Sequence, residues 1–329
     1  MEQWKIQRGA EIIIDHWVNL QKDENLCIVT SNLHRDEAKV LEEAAEKRSK
    51  NVSVMIVRNE GIHVGDYFDD NPNIFDCYDV IIGATDYSIV TTKACDKALK
   101  SGRKFLSLPL STGSGESMLG FDFLAMDTDL SRIKAQILIS YIQKSSLIRV
   151  STALGTDLSF HMRGRKPGFF NGTFRDNHSY SSSSIEVYIP IVETGTEGTL
   201  VCDGSFGYIG KTQQPVKMVF HKGKITEIEQ NAEGKRLQQY FESYHDPRMY
   251  YGGEFGIGLN SMSHCDGNCY IEDESTYGTF HIGVGRNIGL GGRHEASGHF
   301  DLVTQKPTIW FDNRMIMKDG VITIPEFEL

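Results

Sequence analysis

The sequence predicts an α/β protein in two parts: a Rossmann-like open-sheet domain over residues 1–145, and a mixed α/β, mostly antiparallel domain over 146–329. Three observations predict it. A length of 329 residues exceeds what one hydrophobic core usually serves. In the first half, short continuous apolar runs alternate with helix-period segments, as buried parallel strands and their crossover helices do. From about residue 148 onward, short β-type segments are separated by Gly-rich turns, as antiparallel strands are.

The elements follow in order. "LCIVTS" (26–31) reads as a strand, and "HRDEAKVLEEAAEKRSK" after it as a helix. "VSVMIV" (52–57) and "YDVIIGAT" (78–85) are further strands, the second followed by the helical "VTTKACDKALKSG". "KFLSLPL" (104–110) is a fourth. No G-x-G-x-x-G follows "LCIVTS", where Asn32, Leu33 and His34 stand instead, so a dinucleotide cofactor is not expected. The acidic "DYFDDNPNIFD" (66–76) reads as a solvated loop. Residues 131–144, "SRIKAQILISYIQK", form an amphipathic helix before the texture changes. The second half carries "LIRVST", "DLSFHMRG", "EGTLVCDG", "VKMVFHKGKITEIE", "GTFHIGVG" and "KPTIWFDNRMIMKDGVITIP" as strands or hairpins. One helix, "GKRLQQYFESY" (234–244), interrupts them, "SYSSSS" (179–184) reads as a loop, and "GVGRNIG" (283–289) reads as a turn.

Composition narrows the function. Apolar content of 40% with 24% charged residues suits a soluble globular protein. A net charge of −10 argues against nucleic acid or an anionic membrane as partner, since phosphate binding is driven by Lys and Arg. The start, "MEQWKIQRGAEIIIDHW", lacks a basic segment followed by a long apolar run, and no stretch reaches the roughly 20 apolar residues that span a bilayer. Six cysteines in this length make no disulfide framework, so a reducing cytoplasm is expected. Cys265 and Cys269 beside His264 could bind zinc, but C-x3-C without a second pair reads better as a turn.

The chemistry concentrates near the C-terminus, in "GGRHEASGHFD" (291–301). On an extended strand His299 and Asp301 point the same way and Phe300 the other, so an imidazole and a carboxylate share a face. A metal asks for such a pair, and an ordinary His–Asp hydrogen bond looks the same. Three more stretches set donors in strands or among glycines: Glu186 in "SSSSIEVYIPI", Glu254 in "YYGGEFGIGLN" and His281 in "TYGTFHIGVG". Each also has a plainer reading, as a solvated strand end, a turn cap or a satisfied core histidine.

"GTDLSFHMRGR", "EGTLVCDG", "GGEFGIGLN", "TFHIGVG" and "SGHFD", in this order, resemble the aminopeptidase T family of leucyl aminopeptidases. That superfamily also contains 2,5-dihydroxypyridine 5,6-dioxygenase, an iron enzyme. The resemblance covers roughly residues 150–325. It implies that Glu186, Glu254, His281, His299 and Asp301 bind two divalent ions, zinc, manganese or cobalt, because paired ions need hard bridging carboxylates with histidines beside them. It implies also that the N-terminal domain closes over the catalytic one and joins in homo-oligomer contacts. Two departures stand out. The peptidases carry a tyrosine seven residues past the histidine matching His281, where this chain has Ile288; Arg286, Arg293 or His294 are the candidates for the missing donor. In length and in "DPRMYYGGEFGIGL" the chain is nearer the dioxygenase branch, which however has a histidine where Glu254 stands and lacks the one matching His281.

Three expectations result. The first is an aminopeptidase acting on short peptides through two metal ions, with Arg293 and His294 as catalytic candidates. The second is a mononuclear Fe(II) ring-cleaving dioxygenase for a dihydroxypyridine-like aromatic, whose triad is His281, His299 and either Asp301 or Glu254. The third is a non-catalytic metal-binding homologue.

Overall fold

The computed structural model describes residues 2–58, 61–174 and 179–327, and its fold is α/β. The chain forms two compact units, Met1–Thr128 with Phe170–Ser184, and Asp129–Phe169 with Ile185–Leu329. No helix among the described residues is long and apolar enough to cross a membrane.

The first unit is built on a five-stranded sheet, parallel throughout, in the order Val52–Val57, Leu26–Ser31, Val80–Ala84, Lys104–Ser107, Tyr180–Ser182. The two central apolar runs, Leu26–Ser31 and Val80–Ala84, are buried at every position, as strands covered on both faces must be. Val52–Val57 lies at the edge and is half exposed. The crossover helices fall at Arg35–Ala45 and Lys93–Lys100, the second capped by Thr92 Oγ1, which accepts from Cys95 N at 3.4 Å.

Two expectations are corrected here. "SYSSSS" is not a loop: Tyr180–Ser182 adds the fifth strand, tied by Phe105 N to Ser179 O at 2.7 Å and Ser183 N to Ser107 O at 2.9 Å. A strand bonds through its backbone, so short polar side chains are no bar where a sheet edge is open. "DYFDDNPNIFD" is not a solvated loop either. Asp66–Asp70 is a short helix, and Phe68 and Phe75 stack at 5.7 Å within the core of this unit. The acids dominate the composition of that stretch, but two phenylalanines decide where it packs.

The second unit carries two antiparallel sheets. One has eight strands and runs from the Val216–His221 and Lys224–Ile228 hairpin, through Thr196–Cys202, Asp157–His161 and Leu147–Ser151, to the C-terminal strands from Thr308 onward. The other bears the candidate residues, with Ser205–Phe206, His299–Gln305, Thr279–Gly285, Gly252–Gly258 and Ile185–Pro190 side by side. Phe255 and Phe280, on one face of this sheet, lie 6.0 Å apart, and Phe255 meets Phe160 of the larger sheet at 5.4 Å. The apolar face thus anchors the sheet and leaves the opposite face for polar groups.

Candidate metal centre

Register puts the donors together. Gly252–Gly258 pairs with Thr279–Gly285 so that Glu254 faces Gly283 and Gly256 faces His281. On its other side, Gly256 faces Tyr188 and Gly258 faces Glu186. Thr279–Gly285 pairs in turn with His299–Gln305, setting Gly283 against Asp301 and Gly285 against His299. Alternation sends Phe255, Ile257, Phe280 and Ile282 to the core face and leaves Glu186, Glu254, His281, His299 and Asp301 on the other. The result is a checkerboard in which glycines stand between the donors.

Those glycines are a matter of room. A methyl on Gly256 would overlap His281 Nε2 and lie 2.8 Å from Glu186 Oε2. A methyl on Gly283 would lie 2.6 Å from His299 Nε2 and 2.9 Å from Glu254 Cβ. Glycine within a strand costs roughly 0.5–1 kcal/mol relative to alanine, and here it makes the space that two imidazoles and two carboxylates occupy.

The side chains meet at hydrogen-bond distance. His281 Nε2 is 2.9 Å from Glu186 Oε2; His299 Nε2 is 3.0 Å from Glu254 Oε2 and 3.2 Å from Asp301 Oδ1. Two three-donor groups result, each with its ligand atoms within 4.8 Å of one another: Glu186, Glu254 and His281, and Glu254, His299 and Asp301. Glu254 is common to both, and the two histidines fall one to each group. His299 Nδ1 lies 2.8 Å from the Arg286 carbonyl, which can only accept; Nδ1 therefore carries the hydrogen, and Nε2 is turned toward the carboxylates.

The electrostatics fit a cation. Burial pushes the Glu254 carboxyl up, and the nearby Glu186 charge adds to it, so that it titrates at about 6 despite the bond from His299. Burial works against a charged His281, but the Glu186 carboxylate outweighs it and lifts the imidazole to about 9. His299 is raised well above its ordinary value: burial opposes the charge, and Asp301 and Glu254 overcome it. Asp301 is held at about 2, its burial more than offset by His299. The histidine protons thus balance carboxylates that a divalent ion would otherwise balance, and ligation would displace them. Three carboxylates and two imidazoles, nearly all buried, suit zinc, manganese, cobalt or iron.

The fourth carboxylate is Glu274, which the sequence reading missed. It lies on the short helix Tyr270–Ser275 and is buried; burial first, then Asp301 and Glu186, raise it well above the usual range. Ser275 Oγ accepts from Ile185 N at 2.9 Å and so fixes this helix beside the strand that carries Glu186. Read from sequence, "HCDGNCYIEDE" is a turn, whereas its second half is helical, with Glu272, Asp273 and Glu274 all buried. Cys265 and Cys269 enter no donor group among the described residues.

Arg293 and His294 lie on the segment between the two histidine strands and belong to neither donor group. Arg293 N donates to Glu193 Oε1 at 2.7 Å, and His294 Nε2 lies 2.8 Å from the carbonyl of Arg248, its ring 5.2 Å from Tyr251. The segment is fastened by Asn287, fully buried, whose Oδ1 accepts from His294 N and whose Nδ2 donates to Gly253 O, the residue before Glu254. Ile288 is partly exposed at 38%.

With this geometry established, known proteins can be compared. A family model described as "NicX: 2,5-dihydroxypyridine 5,6-dioxygenase" matches residues 123–324. The curated 2,5-dihydroxypyridine 5,6-dioxygenase of Pseudomonas putida is 26% identical over 146 residues, which cover 41% of this chain and 41% of that protein. The chain therefore spans about two fifths of the length of the curated relative it matches. Among solved structures, the 2,5-dihydroxypyridine dioxygenase of P. putida superposes with a TM-score of 0.81 at 16% identity, covering all of both chains. Aminopeptidase T (AmpT) of Thermus thermophilus superposes with a TM-score of 0.68 at 13% identity, covering 98% of this chain and 100% of that one. At such identities the two structures show the fold.

Proposed function

From the premise that this chain belongs to the 2,5-dihydroxypyridine 5,6-dioxygenase (NicX) family, and is a metal-dependent enzyme, we propose that its site holds two divalent ions and serves as an aminopeptidase-like hydrolase. One observation carries this reading: Glu254 is shared by two donor groups, each with its own histidine and a second carboxylate. Such a division suits a bridging carboxylate between two ions.

Glu186 with His281 would hold one ion, His299 with Asp301 the other, and Glu254 both. When bound, the pair would supply Lewis acidity toward a scissile carbonyl and lower the pKa of an attacking water. The chain's own groups do the rest. The Arg286 carbonyl orients His299, and the carboxylate-rich face draws the amino terminus of a short peptide. Anchoring that amine fixes the scissile bond near the attacking water, so masking it removes the productive orientation.

A second reading is a mononuclear Fe(II) dioxygenase, favoured by the family model and the curated relative. The histidines weigh against the triad expected from sequence: among the described residues, no three-donor group contains both His281 and His299. This reading therefore falls on Glu254, His299 and Asp301, one histidine and two carboxylates.

The test is metal content followed by paired assays on the full chain. The expected result is two equivalents of zinc, manganese or cobalt, amino-acid release from unblocked short peptides, and loss of most of the rate on N-acetylation. One iron per chain, with O₂ uptake on dihydroxypyridines and no peptide cleavage, would overturn the hydrolase reading in favour of the second.

A further inference from the structure

We propose that a cavity in the first unit, lined by Asp15, His16, Trp17, Asn19, Lys104 and Phe174, is a second small-molecule site that takes a flat aromatic carboxylate. Its volume is about 310 Å³, at the lower end of the roughly 300–1,000 Å³ typical of small-ligand pockets.

The backbone there is unusual. Helix Gln3–Glu11 runs directly into Ile12–Val18, a widened helical stretch in which Asn19 N reaches back five residues to Ile14 O. Widened turns of this kind are rare and cluster at functional sites, because they swing consecutive side chains off the regular helical face. Here Asp15, His16 and Trp17 all reach the cavity, and Asn19 closes the stretch in the left-handed conformation at φ 50°.

The side chains select the ligand. Trp17 is 1% exposed, and its Nε1 has no hydrogen-bond acceptor among the described residues. An indole N–H can only donate, and a buried donor without an acceptor is uncommon and costly. A ligand oxygen in the cavity would supply the acceptor. Lys104 adds positive charge: Glu24 engages its Nζ at 2.7 Å, and an ammonium has three hydrogens to give. Asp15 is already held by Arg48 Nε at 2.6 Å, so its charge is largely answered from outside the cavity. The hydrogens still free to give, that of Trp17 Nε1 and those of Lys104 Nζ that Glu24 does not take, suit a carboxylate, and the rings of Trp17 and Phe174 offer flat apolar walls to the rest of the molecule. Every lining residue belongs to the first unit, whereas the metal donors all belong to the second. The inference stands apart from the hydrolase reading.

Calorimetric titration of the full, metal-loaded chain with benzoate, and with benzamide as the neutral counterpart, tests it. Benzoate should bind one to one and more tightly than benzamide, and a Trp17→Phe variant, which keeps the ring but loses the N–H, should bind roughly tenfold more weakly. Lys104→Gln should weaken benzoate and leave benzamide unchanged, and this partly exposed position decides the matter if Trp17→Phe fails to fold. His299→Ala should bind benzoate at this site as the parent does. The proposal is overturned by an absence of saturable benzoate binding, by equal affinity in Lys104→Gln and the parent, or by loss of binding in His299→Ala, which would assign the carboxylate to the metal centre.

Discussion

Two places in this molecule set histidine between carboxylates, and they differ in size and in depth of burial. At the carboxyl ends of the parallel strands, His34 Nε2 lies 3.0 Å from Asp86 Oδ1 and its Nδ1 3.6 Å from Glu37, while Ser31 Oγ donates to Asp86 Oδ2 at 2.9 Å. One imidazolium faces two acids, a hydroxyl helps, and all three charged side chains keep 12–16% of their surface in solvent. At the antiparallel sheet, two imidazoles face Glu186, Glu254, Glu274 and Asp301, and His281 and Glu186 are exposed by only 1% and 5%. The first cluster is small, and water reaches each of its charged side chains. The second has no more acid per histidine, but it gathers more groups and buries most of them more deeply, an arrangement that is costly unless a cation is part of it. Type and spacing of residues alone do not separate a structural histidine from a ligand; the depth of burial and the number of donors gathered within ligand distance do.

The largest expected effect contrasts the two directly. His299→Ala removes the one histidine of the second donor group, so at least one metal equivalent should be lost and turnover should fall by orders of magnitude. His34→Ala should leave metal content unchanged and alter stability alone. Elemental analysis and activity on matched preparations check this pair. A His299→Ala protein with full metal content and parental turnover would break the contrast.

A smaller effect tests whether the checkerboard was built for ligation. Gly283→Ala puts a methyl 2.6 Å from His299 Nε2 while leaving every donor in the chain. Metal affinity should drop by about 10–100-fold, in the range seen when ligand orientation is disturbed, with the circular dichroism spectrum retained. Unchanged affinity would mean that the glycine marks only strand packing.

The five candidate donors were legible because strand periodicity is a local property. His299 and Asp301 share a face whatever the rest of the chain does, and the ordered motifs tied them to Glu186, Glu254 and His281. What joins them was less legible. That Glu254 serves both groups follows from Gly283 pairing with Glu254 on one side and Asp301 on the other, and register across three strands is a tertiary fact. Glu274 was hidden because it reaches the site from a six-residue helix whose position depends on Ser275 bonding Ile185. The strand at Tyr180–Ser182 was hidden likewise, since a polar run becomes a strand only beside an open edge. The first four parallel strands needed no such help, their apolar runs being enough to read as strands.

The smallest effect concerns the more exposed cluster. His34 is lifted from an ordinary 6.5 to about 9: burial opposes its charge, and its hydrogen bonds to the Asp86 and Glu37 carboxylates more than compensate. A histidine whose folded pKa is raised binds its proton more tightly in the folded chain than in the unfolded one. Its contribution is therefore complete below about pH 6.5 and is lost as pH rises through about 9. Most of the side chain is shielded from solvent, and the shift corresponds to about 1–3 kcal/mol. The melting temperature should accordingly fall between pH 7 and 9.5 by roughly a few degrees, the size expected of such a change in a large chain. His34→Gln keeps a hydrogen-bonding side chain but cannot titrate, so its melting temperature should start lower at neutral pH and decline less over the same window. Comparing the two melting curves under identical conditions isolates His34, since every other titrating group is common to both proteins. Parallel pH slopes in parent and variant would mean that His34 is not the group that titrates, and its cluster would lose its place in the comparison.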